Sequence, residues 1–592
     1  MLFTALEPRA MSIRAVLYPE QAAIVLIMAI LLFSSSGWGL VDSQRIELLT
    51  HGMEFSSQQK AALTAERDQF YERLDSSRQK QADDIAQRLV EGGHIEVGEW
   101  GQLPDDQLSQ SLKTTAFRAY LLGSTAMDER NAYRALSRIK PSSLDFDPKF
   151  YRYGGSYLYL VGGLIYLGKI TGLIQVSHDL AWYLDHPSHM ARLYLVGRGV
   201  NIAAFLAILV LLALWSRRLG SRAIGFLAMM TWSLAWLVWW ETLVSKPHMY
   251  ATFWSLWSLF LLDAWLKDKR AWRLWLAGAA LGMSIGASLP TAVLALAFPV
   301  FTYEPGKGWT WLKLSLLGWL VAIGVFFLTN PYAVIKYELY LLTAVEHGGG
   351  GGWDWVTATW EKPLAYFKKL TLDYFPFPLM MIGLAAVLVI AFRRQGPLIR
   401  LARLLAVLLL AWSLTVASPR LSIFLLAPVC LFAGLALDQM LLSNRRVPTW
   451  AARIAIILLL LPGMVSLAIQ AKAALSGNLW HQSAKAWLES GGLASNSSVG
   501  VYEPPDPTRL PPFPFLNRPV VMLDKWKPDQ DQPDVLVLNQ KEYQRLWPRH
   551  QLYQRYEPHT RLGQVPCPAW LNSLMVRCPQ HAYTNAMVLK RK

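Results

Sequence analysis

The stretch RGVNIAAFLAILVLLALWSRRLGSRAIGFLAMMTWSLAWLVWWETL, residues 198–243, decides the fold. Two apolar runs, near 198–216 and 223–243, flank the basic turn SRRLGSR. Each approaches the roughly 20 residues a helix needs to cross the hydrocarbon core of a bilayer. The arginines between them mark a cytoplasmic turn. The unit recurs: apolar windows lie near 21–40, 156–175, 249–267, 274–289, 291–303, 312–330, 374–392, 401–417, 420–442 and 454–474. The connections KDKRAWR, FRRQGPLIRLAR and SNRRVPTWAAR are again basic and are expected inside, which puts residues 331–373 and the C-terminal region outside.

The sequence therefore predicts an all-α polytopic membrane bundle of about 11–13 transmembrane helices with a small external C-terminal α/β domain. Its expected parts are a cytoplasmic N-terminus and first helix (1–40), an external loop with a helical insertion and an acidic motif (41–155), the bundle (156–474) and the external domain (475–592). Twelve windows with the N-terminus inside would return the C-terminus inside, so one window must fail to span; 156–175, Gly-rich and carrying Lys169, is the suspect. The apolar run AAIVLIMAILLF after Arg9 and Arg14 resembles a signal peptide but reads as an uncleaved first helix.

Of 592 residues, 53% are hydrophobic and only 17% charged, too apolar for an ordinary soluble domain. The formal charge of +16 lies largely in short loops, which suits topology and contact with anionic lipid and offers no soluble basic face for nucleic acid. In the C-terminal region SSVGVY, RPVVML and DVLVL read as strands separated by turns. Cys430 lies in an apolar window and reads as inert, whereas Cys567 and Cys578 could pair if their compartment is oxidising. Asn496 opens a short NSS match.

The chemistry-bearing residues cluster in loops. In STAMDERNAYRALSRIKPSSLDFDPKFYRYGGSYLYL (124–160), Asp128 opens a helix candidate, where a carboxylate favours the positive end. Arg130, Arg134 and Arg138 follow at four-residue spacing and would share one face. Capping and lipid-headgroup contact account for these residues in a purely structural reading. A functional reading gives the carboxylate the task of accepting or orienting a hydroxyl proton and the cations that of neutralising a phosphate. Two acids are a thin warrant for a divalent metal, and no metal-ligand spacing appears. ETLVSKPHMY adds Glu241, Lys246 and His248 at the end of a span, Arg198 opens another, and EHGGGGGWDW (346–355) has the glycine content of a closing lid.

The order of these blocks resembles the C-type (GT-C) membrane glycosyltransferases, which include protein O-mannosyltransferases and the enzymes that add aminoarabinose to lipid A. The resemblance runs over about residues 115–475 and rests on MDERNAYRALSRIKPSSLDFDPKFYRYGGSYLY, ARLYLVGR, LTNPY at 328–332 and SPRLSIFLLAPVCLFAGLAL. It implies a polyprenyl-phosphate sugar donor, a lipid, glycan or protein acceptor with a hydroxyl, inversion at the anomeric carbon, and an active site on the periplasmic face of a bacterial inner membrane. By that resemblance Asp128, with Glu129 beside it, is the essential carboxylate and serves as base, and Asp42, nearer the first span, is the alternative. Arg130, Arg134, Arg198, Lys246, His248 and Arg420 are the expected phosphate-binding set, although Leu421 stands where relatives often have Tyr. A transporter or flippase for a lipid-linked or anionic substrate is the rival reading, with Lys169 and Asp263 as its intramembrane candidates, and a non-catalytic scaffold is a second.

Overall fold

The computed structural model describes residues 17–91, 110–306, 308–340, 342–343, 361–370, 377–393, 398–415, 419–443, 449–475, 479–494, 496–523, 532–546, 555–562 and 586–592. The loop Glu346–Trp355 and the pair Cys567 and Cys578 lie outside them. The main helices are α1 (Pro19–Ser35), α2 (Ser43–Thr50), α3 (Ser57–Glu91), α4 (Gln110–Leu122), α5 (Met127–Leu136), α6 (Gly155–Ile170), α7 (Pro187–Arg218), α8 (Arg222–Ser233), α9 (Trp236–Leu243) and α10 (His248–Asp268). They continue with α11 (Ala271–Ala287), α12 (Gly308–Thr329), α13 (Phe377–Ala391), α14 (Ile399–Thr415), α15 (Ile423–Ser443), α16 (Thr449–Leu475) and α17 (Leu479–Glu489).

Length and composition alone let four stretches cross a membrane among the described residues: Pro187–Arg218, Gly308–Thr329, Arg420–Leu441 and Arg453–Lys472. The window expected over 223–243 is not one straight helix. It breaks into α8 and α9, bent by 66°, and counts as a fifth span if the pair is taken together. The window over 291–303 is likewise a 3-10 turn, Leu289–Leu296, followed by the short helix Ala297–Thr302, because Pro290 and Pro299 each remove an N–H from the ladder. The suspect window near 156–175 holds only the 16 residues of α6, short of the roughly 20 a span requires.

α7 begins with Pro at its first position and ends on Arg217 and Arg218, so both of its ends suit the helix dipole and its unpaired groups. Exposed apolar side chains on α1 (Leu26, Ile27, Ile30), α12 (Leu320, Ile323, Phe327) and α16 (Ile457, Leu458, Leu461) form the greasy outer wall that lipid would solvate. Inside, small residues let backbones meet: a Cβ on Gly278 of α11 would stand 2.7 Å from the Gly318 carbonyl of α12. Ser255 and Ser284 join α10 to α11 at 2.7 Å.

Between α9 and α10 the chain is unwound over Val244–Pro247. Pro247 disfavours helix at the residue before it, and the exposed peptide groups find partners elsewhere. The Asn201 amide of α7 donates to the carbonyls of Val244 (2.6 Å) and Lys246 (2.9 Å). The Ser245 N–H donates to Glu129 Oε1 at 2.6 Å. The Ser245 hydroxyl lies 3.1 Å from the Tyr133 hydroxyl and 3.0 Å from that of Tyr157. Gly197 makes this approach feasible, since a Cβ there would stand 1.8 Å from Ser245 Oγ and 2.7 Å from Tyr133 Oη. Gly197→Ala is expected to push the unwound segment off α7 and to destabilise the fold by about 1–3 kcal/mol, the usual cost of overpacking. A thermal-unfolding midpoint equal to wild type in detergent would count against that close contact.

The remainder forms two further pieces. α3 is the 35-residue solvated helix expected from the polar stretch; it folds back on the loop that precedes α7, with Thr64 beside Asp179 and Arg67 donating to His178. The C-terminal domain holds β1 (Val499–Val501), β2 (Val520–Met522), β3 (Val535–Asn539), β4 (Tyr556–Leu562) and β5 (Ala586–Arg591), in the order β2-β1-β3-β5-β4. β1 pairs in parallel with β2 and β3, and β5 runs antiparallel to β3 and β4. The three segments read as strands from sequence are β1, β2 and β3. β4 and β5 were not legible: β4 is YEPHTRL, with only its end residues buried and a bulge at Pro558–Thr560, so it shows no alternating pattern. This domain docks on the loop helices through the Tyr120 hydroxyl, which donates to Leu510 O at 2.9 Å, and through Lys113 Nζ, which donates to Arg518 O at 2.6 Å.

Candidate active site

Helix α5 presents two adjacent carboxylates in opposite circumstances. Glu129 is fully buried. Arg198 of α7 grips it with two parallel bonds, Nε to Oε1 at 2.8 Å and Nη2 to Oε2 at 2.7 Å, and its remaining nitrogen donates to the carbonyls of Ser36 (2.5 Å) and Trp38 (2.6 Å). This pair ties the end of α1, α5, α7 and the unwound segment into one unit. Both groups are saturated by protein partners, and the structure places Arg198 with Glu129, apart from the residues that meet Asp128.

Asp128 points the other way and its side chain is 41% exposed. Its Oδ2 accepts from Arg420 Nη2 at 2.9 Å and lies 3.5 Å from Lys246 Nζ. Glu241, at the end of α9, supports both cations: its Oε1 accepts from Lys246 Nζ at 2.8 Å and from Arg420 Nε at 3.0 Å. Lys246 and Glu241 are fully buried, whereas Arg420, in the 3-10 turn Pro419–Ser422 that leads into α15, is 37% exposed. The second Glu241 oxygen is buried without a hydrogen-bond partner among the described residues. His248, partly buried at the start of α10, couples by charge to Asp128 and Glu241. Burial alone would raise the Asp128 carboxyl, but the charges of Lys246, Arg420 and His248 overcome it and hold the group well below the ordinary carboxylate range. The cluster is thus a set of two anions and two cations, with one anion and one cation open to solvent. It draws residues from positions 128, 241, 246 and 420 to the rim of the bundle.

The arginine face of α5 does not join this cluster. At 3.6 residues per turn, Arg130 is about 200° around the helix from Asp128. Arg130 pairs with Asp506 of the C-terminal domain at 2.7 Å, Arg134 meets the Tyr71 hydroxyl of α3, and Arg138 pairs with Asp75 and lies over the Tyr71 ring. Asp42 belongs to a third constellation. It caps α2, accepting from the Arg45 N–H at 2.8 Å, and its other oxygen lies 3.2 Å from Nδ1 of His481 in α17. Arg45, buried, completes this unit by donating to His481 Nε2 (3.1 Å) and to the carbonyls of Gly123 (2.6 Å) and Gly39 (2.9 Å). Asp42 thereby holds the C-terminal domain to the first loop. Among the described residues no group of three or more His, Cys, Asp or Glu is arranged to hold a metal ion.

Burial would raise the Asp42 carboxyl, but the His481 hydrogen bond and charge, together with the Arg45 N–H, bring it down to about 2. An unfolded aspartate titrates near about 3.9, so this anchor contributes fully above pH ~4 and is lost as the pH falls through the folded value. Hydrogen exchange at the α2 amides, corrected for intrinsic rate, is expected to accelerate between pH 4 and 2. Protection that stays constant across that window would exclude Asp42 as the anchor.

The residues that position the site, Asn201, Ser245, Tyr133 and Tyr157, escaped the sequence reading. An asparagine inside an otherwise apolar run was the available signal, since such a group in a membrane helix needs a partner. Asn330 of LTNPY is similar: its Oδ1 accepts from the Gly155 N–H at 2.7 Å and pins the start of α6 to the end of α12.

Fold and cluster together define a polytopic helical membrane protein with a charged, half-open site beside its α/β domain. No family model and no curated protein matches the chain. Solved structures that resemble it include the apo oligosaccharyltransferase of Archaeoglobus fulgidus, at 12% identity over 63% of this chain and 58% of that one, with a TM-score of 0.40. Another is ArnT from Cupriavidus metallidurans bound to undecaprenyl phosphate, at 13% identity over 81% of this chain and 95% of that one, also with a TM-score of 0.40. The chain thus spans little more than half the length of the Archaeoglobus protein. Likeness at this level leaves the reading of the site to its own geometry.

Proposed function

We propose that the protein is a membrane glycosyltransferase that moves a sugar from a polyprenyl-phosphate carrier to a hydroxyl of a lipid, glycan or protein acceptor. The observation that carries the reading is the convergence of Asp128, Lys246, Arg420 and Glu241 at the rim of an apolar bundle. A lipid-phosphate donor brings its reacting bond to that depth, and the reaction needs both signs of charge there. The acceptor oxygen bonds to the anomeric carbon, the carbon–oxygen bond to phosphate breaks on the opposite face, and configuration inverts. Arg420 and Lys246 stabilise the polyprenyl phosphate as its negative charge grows. Asp128 takes the hydroxyl proton or orients it for transfer to the departing phosphate.

The electrostatics give this scheme an internal timing. With both cations facing it, Asp128 is a weak base. Donor phosphate draws Lys246 and Arg420 to itself, and the carboxylate gains basicity when the sugar is in place. Glu241 keeps the two cations aligned in the absence of donor. Basic turns on the opposite side of the bundle support a site on the external face, which in a bacterial inner membrane is the periplasm.

The test is to incubate the full chain, reconstituted in vesicles, with radiolabelled polyprenyl-phosphate sugars and membrane extract. A labelled product from at least one donor is the expected result. Flux of the labelled lipid across the vesicle with no sugar transfer would replace this reading by that of a flippase.

A further inference from the structure

A second charged feature lies apart from the Asp128 cluster, where the inserted helix α3 faces the bundle. A cavity of about 530 Å3 opens between Asp75–Lys80 of α3, the turn at Lys149–Tyr151, and Lys336, Leu339 and Leu342 beyond α12. This lies within the size range of pockets that hold small-molecule groups. Its lining is one-sided in charge. Arg78, Lys80, Lys149 and Lys336 stand against a single acid, Asp75.

Neighbouring pairs do not cancel the excess. Asp75 is shared between Arg138 and Lys149, the latter at 3.6 Å. Lys336 pairs with Asp147 at 2.7 Å, and Asp147 also accepts from the Tyr151 hydroxyl at 2.8 Å. Counting Arg138, Asp145 and Asp147, five cations meet three carboxylates among the described residues, an excess of two positive charges around one hollow. Like charges gathered around a hollow repel one another, and an anion of two or more charges relieves that repulsion. Asp147 is itself buried, so the Lys336 and Tyr151 walls are held from behind. The far end of the cavity is apolar, formed by Leu339 and Leu342. Tyr151 also lines a small adjoining cavity with Tyr153.

We propose that this cleft binds a phosphate group, with the cations on the oxygens and the leucine end suited to the apolar part of an amphiphile at the membrane surface. Lys and Arg together fit a phosphate as point charge and fork. The proposal concerns binding only and does not depend on sugar transfer at Asp128.

The experiment uses the full chain in nanodiscs of zwitterionic phosphatidylcholine. Inorganic pyrophosphate and the short-chain lipid dihexanoyl phosphatidate serve as probes, followed by phosphorus NMR. Saturable binding is expected, weakened at least tenfold in the Arg78→Gln/Lys80→Gln/Lys149→Gln variant and retained in Arg78→Lys/Lys149→Arg. Lys336 is left in place because of its buried partner. Binding of both probes assigns the phosphate to an amphiphile, and binding of pyrophosphate alone assigns it to a soluble source. Asp128→Asn should bind both probes as wild type does. Wild-type affinity in the triple glutamine variant, absence of binding to either probe, or loss of binding on Asp128→Asn would each overturn the assignment.

Discussion

Asp128→Asn is expected to cut sugar transfer by about 10²- to 10⁴-fold, the range general-base groups contribute, with little change in folding. The side chain is 41% exposed, and both of its cationic neighbours keep Glu241 as a partner when its charge is removed. Asparagine fills the same volume and still accepts a hydrogen bond, so the loss isolates the missing negative charge. Under the proposed mechanism the effect should fall on kcat more than on KM, with the base acting in the transition state and Lys246 and Arg420 holding the phosphate. Wild-type turnover by Asp128→Asn, measured with the labelled donor that gives product, would remove Asp128 from the mechanism.

Glu129→Ala, one residue along, should behave in the opposite way. It leaves the fully buried Arg198 charge without its carboxylate and strips the Ser245 N–H of its acceptor. Breaking one side of a buried ion pair costs about 3–5 kcal/mol, so the protein should fail to reach its native fold or should unfold well below wild type. Replacing both partners, as Glu129→Leu/Arg198→Met, removes the orphaned charge and should recover part of that loss. A double variant as unstable as the sum of the two single ones would show that the pair acts through separate contacts. Thermal scans of unfolding-linked fluorescence in one detergent, at one heating rate, provide the comparison.

These two neighbours show how far the sequence could be read. Composition and apolar period identified a helical membrane bundle, because twenty greasy residues admit few other structures. They could not foresee the break at Leu234–Ala235, where α8 and α9 part by 66° within a run of uniform hydropathy. Asp128, Lys246 and Arg420 were expected in one site by resemblance, together with arginines that lie elsewhere, and the fold brings together residues 118 and 292 positions apart. Glu129 and Arg198 pair with each other inside the fold, a placement the sequence did not show, since nothing in the string MDER says which acid faces inward. Arg130 and Arg134 did share a side of α5, as periodicity requires, while Arg138 follows just beyond its end. Which way that side turned was decided by α3 and by Asp506, elements whose docking depends on contacts distant in the sequence.

The unwound tetrapeptide Val244–Pro247 also bears on how the polypeptide is made. Its peptide groups are satisfied by Asn201, already translated, and by Glu129, which leaves the ribosome 116 residues before Ser245. A hairpin of α9 and α10 released sideways into lipid ahead of those partners would carry bare amides into hydrocarbon, which is costly. The nascent segment is therefore best delivered against a pre-assembled wall of α5 and α7. The order of synthesis, acidic loop first and kinked hairpin afterwards, is the order that lets each polar group emerge to a waiting counterpart.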